Sequence, residues 1–107
     1  MGAVPRLIEP PAMPEGVRRI IETIGNSARA ELLHNLAAGP ATATDLAATL
    51  GVGRGTVHAH LGALEKAGLV TGDIPEGARH GRTVHWHLDR SAVDAYLDEL
   101  RHYLTGR

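Results

Sequence analysis

Apolar residues recur along this chain with two different periods, and the change from one to the other divides it. From Glu15 to Ile24 the set Val17, Ile20, Ile21 and Ile24 keeps helical spacing, and Gly25 closes it. Asn26 or Ser27 stands where a second helix needs its N-cap; that helix carries Ala28, Leu32, Leu33 and Leu36 on one stripe and stops at Gly39-Pro40. "ATATDLAATL" predicts a third helix over 43–50, with Leu46 and Leu50 four apart and Thr42 and Asp45 spaced like a capping box. A fourth runs from Arg54 to about Ala67, with Gly68 in the position of a left-handed C-terminal cap. The period then shortens to two. "LVTGDI" and "RTVHWHL" predict two strands joined by "PEGARHG", and in the second Val84, Trp86 and Leu88 alternate with Thr83, His85 and His87. Asp89 caps a last helix whose stripe is Val93, Tyr96, Leu97, Leu100 and Leu104.

Between the third and fourth helices lies "LGVGRG", with Gly51, Gly53 and Gly55 in five positions. A phosphate-binding loop needs a strand before the glycines and a Lys-Ser/Thr pair after them, because backbone amides and the lysine hold the charge together. A helix precedes these glycines and no such pair follows, so they form a turn that aims the fourth helix. Three helices with a short turn between the last two, then a hairpin, make a winged helix-turn-helix. The expected fold is mainly α, about five helices with a two-stranded wing. Four of six prolines fall in the first fourteen residues, which predicts an extended arm over 1–14 and one folded domain over 15–107.

The wording of this region resembles the ArsR-type bacterial repressors. Their "D-x-x-R" opening to helix two corresponds to Asn26 and Arg29, and their "L-A-x-x-L-G" segment to Leu46 through Gly51. Their "S-x-x-T-V-x-x-H-L" recognition helix corresponds to Gly53, Thr56, Val57, His60 and Leu61, and their "A-G-L-V" exit to Ala67 through Val70. The resemblance spans roughly residues 15 to 104 and implies a DNA-binding transcriptional regulator. The departures are specific. Gly53 stands where the family has serine, and Ala59 and Gly62 stand where it has polar or basic residues. "ATATDL" lacks the thiolate pair of the arsenic, lead and cadmium sensors, and "DRSAVDAYLDELRHYL" does not meet the zinc-sensing pattern.

With Val57, Leu61 and Leu64 inward at about 100° per residue, Gly55, Ala59, Gly62 and Lys66 form the outermost line of the fourth helix. That ridge is nearly bare. A glycine inside a helix costs about 1 kcal/mol relative to alanine, so Gly62 points to close approach of a partner. In a major groove the ridge lets the helix sit deep, with Arg54, Thr56, His58 and Lys66 along its edges in reach of bases or phosphates. Arg79 and Arg82 flank the Gly81 bend and are placed to enter a minor groove or clamp phosphates. A small-residue ridge also suits a protein partner, so a docking module is the alternative reading, and a His-based metal-responsive repressor is another.

The first and last helices are amphipathic and flank the compact unit. Ile20, Ile24, Tyr96, Leu97, Leu100 and Leu104 are therefore expected at a homodimer interface. At 107 residues one modest core is possible. The absence of cysteine excludes disulfides, thiolate metal sites and cysteine nucleophiles. No apolar run reaches membrane-span length and no secretory signal opens the chain, so a cytoplasmic protein without membrane contact is expected. Net charge is −1, which gives no bulk attraction to nucleic acid, although residues 51–88 carry a formal +1 and five of seven histidines. His80, His85 and His87 could converge on a metal, while His34 and His60 lie at the edges of apolar stripes and read as core-edge groups. No metal site is expected, because histidine pairs at such spacings often arise without ligation, and no cofactor or enzymatic activity, because no cofactor motif is present and no acid, base and nucleophile can be placed together by spacing. Together these features predict a small repressor that occupies an inverted-repeat operator on double-stranded DNA as a homodimer.

Overall fold

The computed structural model describes residues 12–107; residues 1–11, most of the expected arm, lie outside the described residues. Five helices follow in order, α1 (Glu15–Ile24), α2 (Ser27–Ala38), α3 (Ala43–Leu50), α4 (Arg54–Lys66) and α5 (Arg90–Thr105), with strands β1 (Ala41–Thr42), β2 (Val70–Gly72) and β3 (His85–Leu88) and a 3₁₀ turn over Glu76–Ala78. Local chemistry sets the helix ends. Asn26 accepts from the Arg29 amide, Thr42 from the Asp45 amide and Asp89 from the Ala92 amide, so three helix starts satisfy an otherwise orphaned donor. Gly53 at the start of α4 supplies no such side chain. Against the serine of the resemblance this costs only a few tenths of a kcal/mol.

The turn between α3 and α4 depends on Gly51 at φ +69°, where the amides of Gly51 and Val52 both return to the Ala47 carbonyl. Side chains avoid that left-handed region, so glycine is the fitting residue there. Gly68, at φ +81°, does the same after α4. Leu32 and Leu36 of α2, Leu46 of α3, and Val57, Leu61 and Leu64 of α4 meet Leu69, Val70 and Trp86 in one core. The inward face of α4 is thus fixed by burial, which leaves the opposite face to solvent.

The sheet has three strands, in the order β1-β3-β2, where two were expected. Ala41 pairs with Trp86 and Thr42 with His85, so two residues ahead of α3 add an edge strand to the wing. A two-residue strand shows no alternation, which is why its sequence reads only as a helix cap. On the other edge Val70, Thr71 and Gly72 face Leu88, His87 and Trp86. The ladder of the last strand covers His85–Leu88 rather than the full "RTVHWHL", while Trp86 turns inward and Thr83, His85 and His87 outward as the alternation predicts.

One expected interface residue is displaced. Ile20 is only 2% exposed and packs inside the protomer with Val17, because α1 lies against α5. It has no surface left for a second subunit. Its neighbour Ile21 is exposed instead, and so are Leu97, Tyr103 and Leu104. Ile24, Tyr96 and Leu100 are half-buried. Among the described residues no helix is long and apolar enough to cross a membrane.

Candidate nucleic-acid interface

Helix α4 turns Arg54, Gly55, Thr56, His58, Ala59, Gly62 and Lys66 to solvent, seven residues on one continuous face. A Cβ placed on Gly55 or Gly62 meets nothing within 4 Å, so no contact inside the protomer requires glycine at either position. Between this face and the wing runs a groove of about 580 Å³. Arg54, His58 and Gly62 of α4 line it together with Arg79 and Arg82 of the wing, and the carboxylates of Glu65 and Glu76 line it too. Five of the nine residues assigned to DNA contact by sequence therefore meet around one groove: Arg54, His58, Gly62, Arg79 and Arg82. Gly55, Thr56, Ala59 and Lys66 lie on the same helix outside it. Arg54, Lys66 and Arg82 form no ion pair among the described residues.

Arg79 is placed differently from Arg82. Its guanidinium donates two parallel hydrogen bonds to the Glu65 carboxylate, at 2.6 and 3.1 Å, and its Nε–H donates to the Ile74 carbonyl at 2.8 Å. The same group lies 4.9 Å from the centroid of the Trp86 ring. A bidentate pair stacked on an aromatic face is a held group, so Arg79 ties the wing to Glu65 of α4 within the groove that both residues line. Gly72 makes the crossing possible: a Cβ there would sit 2.9 Å from both the Arg79 guanidinium and Val84. Sequence reasoning missed Glu65 and Gly72. Glycine inside a strand does signal a close approach of other atoms, but the Glu65–Arg79 pairing spans fourteen residues and leaves no local trace.

Hydrogen bonds from Arg79 hold the Glu65 carboxyl below its ordinary value, and the same bonds raise Arg79. A carboxylate held low in the folded state contributes stability above its unfolded value and loses it as pH falls through the folded one. Glu65→Gln is therefore expected to cost about 1 kcal/mol at neutral pH. That difference should shrink below pH 4.5, the ordinary glutamate value, in urea unfolding curves of both proteins. A difference that grows on acidification contradicts the bridge.

At the far end of the wing the Asp73 carboxylate accepts from the His85 amide at 2.9 Å and lies 3.4 Å from His85 Nδ1. The amide, more than the ring, holds Asp73 below its ordinary value. His85 is thus paired across the hairpin. Among the described residues no three His, Cys, Asp or Glu side chains gather as a metal cluster, so His80, His85 and His87 do not converge. His34 is exposed, whereas His60 is half-buried and accepts a hydrogen bond from Arg29.

Residues 24–73 match the family of helix-turn-helix domains. No curated protein matches the sequence. Among solved structures, an ArsR-like transcriptional regulator from Rhodococcus sp. RHA1 is 23% identical, with a TM-score of 0.66 over 82% of this chain and 78% of that one. The homodimeric winged helix-turn-helix DNA-binding domain of a possible ArsR-family regulator from Mycobacterium bovis is 21% identical, with a TM-score of 0.63 over 90% and 79%. The transcriptional repressor BigR from Xylella fastidiosa is 20% identical, with a TM-score of 0.59 over 83% and 82%. The chain shares the winged helix-turn-helix fold of these ArsR-type structures, as its wording suggested.

Proposed function

We propose that this chain, built on the winged helix-turn-helix fold, is a homodimeric transcriptional repressor that binds an inverted-repeat operator. The observation that carries the reading is the continuous exposed face of α4, with Arg54 and His58 lining a groove together with Arg82. In this arrangement α4 enters the major groove, Ala59 can touch a thymine methyl, and a phosphodiester strand runs between Arg54 and Arg82. Occupying a promoter is the simplest way for such a module to act, and the likeness to the Xylella repressor favours repression.

Selection of bound duplexes from a random pool tests the reading. It should recover two inverted half-sites with centres about ten base pairs apart, or a multiple of that. On the recovered duplex Arg82→Ala should lower the slope of log affinity against log salt by about one. A pool that yields no enriched sequence, with a partner protein retained on an α4 affinity surface, returns the docking module to the lead.

Pairing of subunits is assigned to α1 and α5. None of the sixteen residues of α5 is fully buried in the protomer, and Leu97 and Leu104 are 47% and 67% exposed. Such a stripe fits a two-fold interface, and the Mycobacterium bovis relative is itself homodimeric. Leu97→Asp should sediment as a monomer at micromolar concentration and lose operator binding in parallel. A wild-type protein that is already monomeric there contradicts the dimer.

A further inference from the structure

A chain of hydrogen bonds crosses the domain behind α4. The Tyr96 hydroxyl of α5 donates to Thr23 Oγ1 of α1 at 3.3 Å. The Thr23 carbonyl accepts from Arg29 Nη1–H of α2 at 3.1 Å, and the Glu22 carbonyl from the same nitrogen at 3.5 Å. Arg29 Nε–H then donates to His60 Nδ1 of α4 at 3.1 Å. Thr23 is the buried polar residue of this region, at 9% exposure, and His60 is half-buried. Four helices thus meet through one polar line that ends on the helix carrying the candidate DNA face.

We infer that Arg29 and His60 are positioning residues that fix α4 relative to the α1–α5 pair, and so set the separation of the two recognition helices in the dimer. The inference rests on the DNA-binding reading above. Its chemistry is directional. An arginine donates only, so Nδ1 of His60 is the acceptor in this bond. The guanidinium holds two carbonyls at the C-terminal end of α1 with one nitrogen and the imidazole with another. This fork geometry cannot be reproduced by a lysine ammonium. Burial of Val57, Leu61 and Leu64 fixes which face of α4 turns inward, and the Arg29–His60 bond adds a directional contact at the edge of that face, because hydrogen bonds weaken steeply when misaligned.

The test uses the duplex recovered by wild-type protein from a random pool and a copy with one half-site scrambled. His60→Leu should bind the intact duplex about tenfold more weakly, the factor that corresponds to 1.4 kcal/mol, and the scrambled copy about as well as wild type does. His60→Asn, whose Oδ1 stands two bonds from Cβ as Nδ1 does, should restore wild-type affinity. Arg29→Lys should behave like His60→Leu. Equal loss on both duplexes, or a His60→Asn protein as weak as His60→Leu, overturns the inference while leaving DNA binding intact. Wild-type protein that enriches no duplex overturns the DNA reading and this inference with it. Should His60→Leu fail to fold, ¹⁵N spectra of wild-type histidine decide: a bare Nδ1 on His60 supports the pairing, and a protonated Nδ1 overturns it.

Discussion

Trp86→Ala lowers the stability of the domain by about 3 to 5 kcal/mol, the largest loss expected from any single change in the wing. Trp86 occupies the central strand, opposite Ala41 on one edge and Gly72 on the other, and its ring reaches the core shared by α2, α3 and α4. Truncation opens a cavity under all three helices and removes the aromatic face on which the Arg79 guanidinium lies. The indole Nε1–H is buried without a partner among the described residues. An unpaired buried donor carries its own cost, so Trp86→Phe, which keeps a ring and removes that donor, should lose well under half as much. Urea unfolding followed by circular dichroism measures both. Equal losses for the two variants would mean that the full bulk of the indole, which phenylalanine does not supply, is what the fold requires.

A second large effect is expected on binding and not on stability. Gly62→Leu should keep the fold, because a side chain there enters open space, and exposed helix interiors favour leucine over glycine. Gly62→Ala should raise stability by up to about 1 kcal/mol for the same reason. On DNA the leucine stands between the backbone of α4 and the base edges. Holding the helix off the groove forfeits base contacts worth about 1 to 3 kcal/mol each. Specific affinity should fall about a hundredfold, while non-specific binding, carried by phosphates, should change little. Gel-shift titrations of the selected duplex against an unrelated one provide the measurement. A folded, dimeric Gly62→Leu protein with full operator affinity contradicts the placement of α4 in a groove.

The glycine at 62 shows how far sequence reasoning reached. Its oddness was legible because helix propensity is local: a bare residue amid Val57, Leu61 and Leu64 spacing demands an external reason, and the fold places it on the exposed face. The bounds of α1 and α3 were legible for the same cause, since Gly25, Thr42 and Gly51 act within one turn of the helices they end or begin. That Glu65 pairs with Arg79 was not legible, because position in a hairpin says nothing about which carboxylate the folded chain brings to it.

By itself the sequence determined the helices, their caps, the inward stripe of α4 and the outward ridge, because each depends on neighbours no more than four residues away along one helix or two along one strand. Only the tertiary structure decided that Glu65 captures Arg79, that Ala41 and Thr42 extend the wing, that Ile20 turns inward while Ile21 faces solvent, and that Arg29 meets His60 across thirty-one residues. Those outcomes depend on how whole elements pack against one another. A side chain's spacing gives the face it occupies, and only the packed fold gives what stands opposite that face.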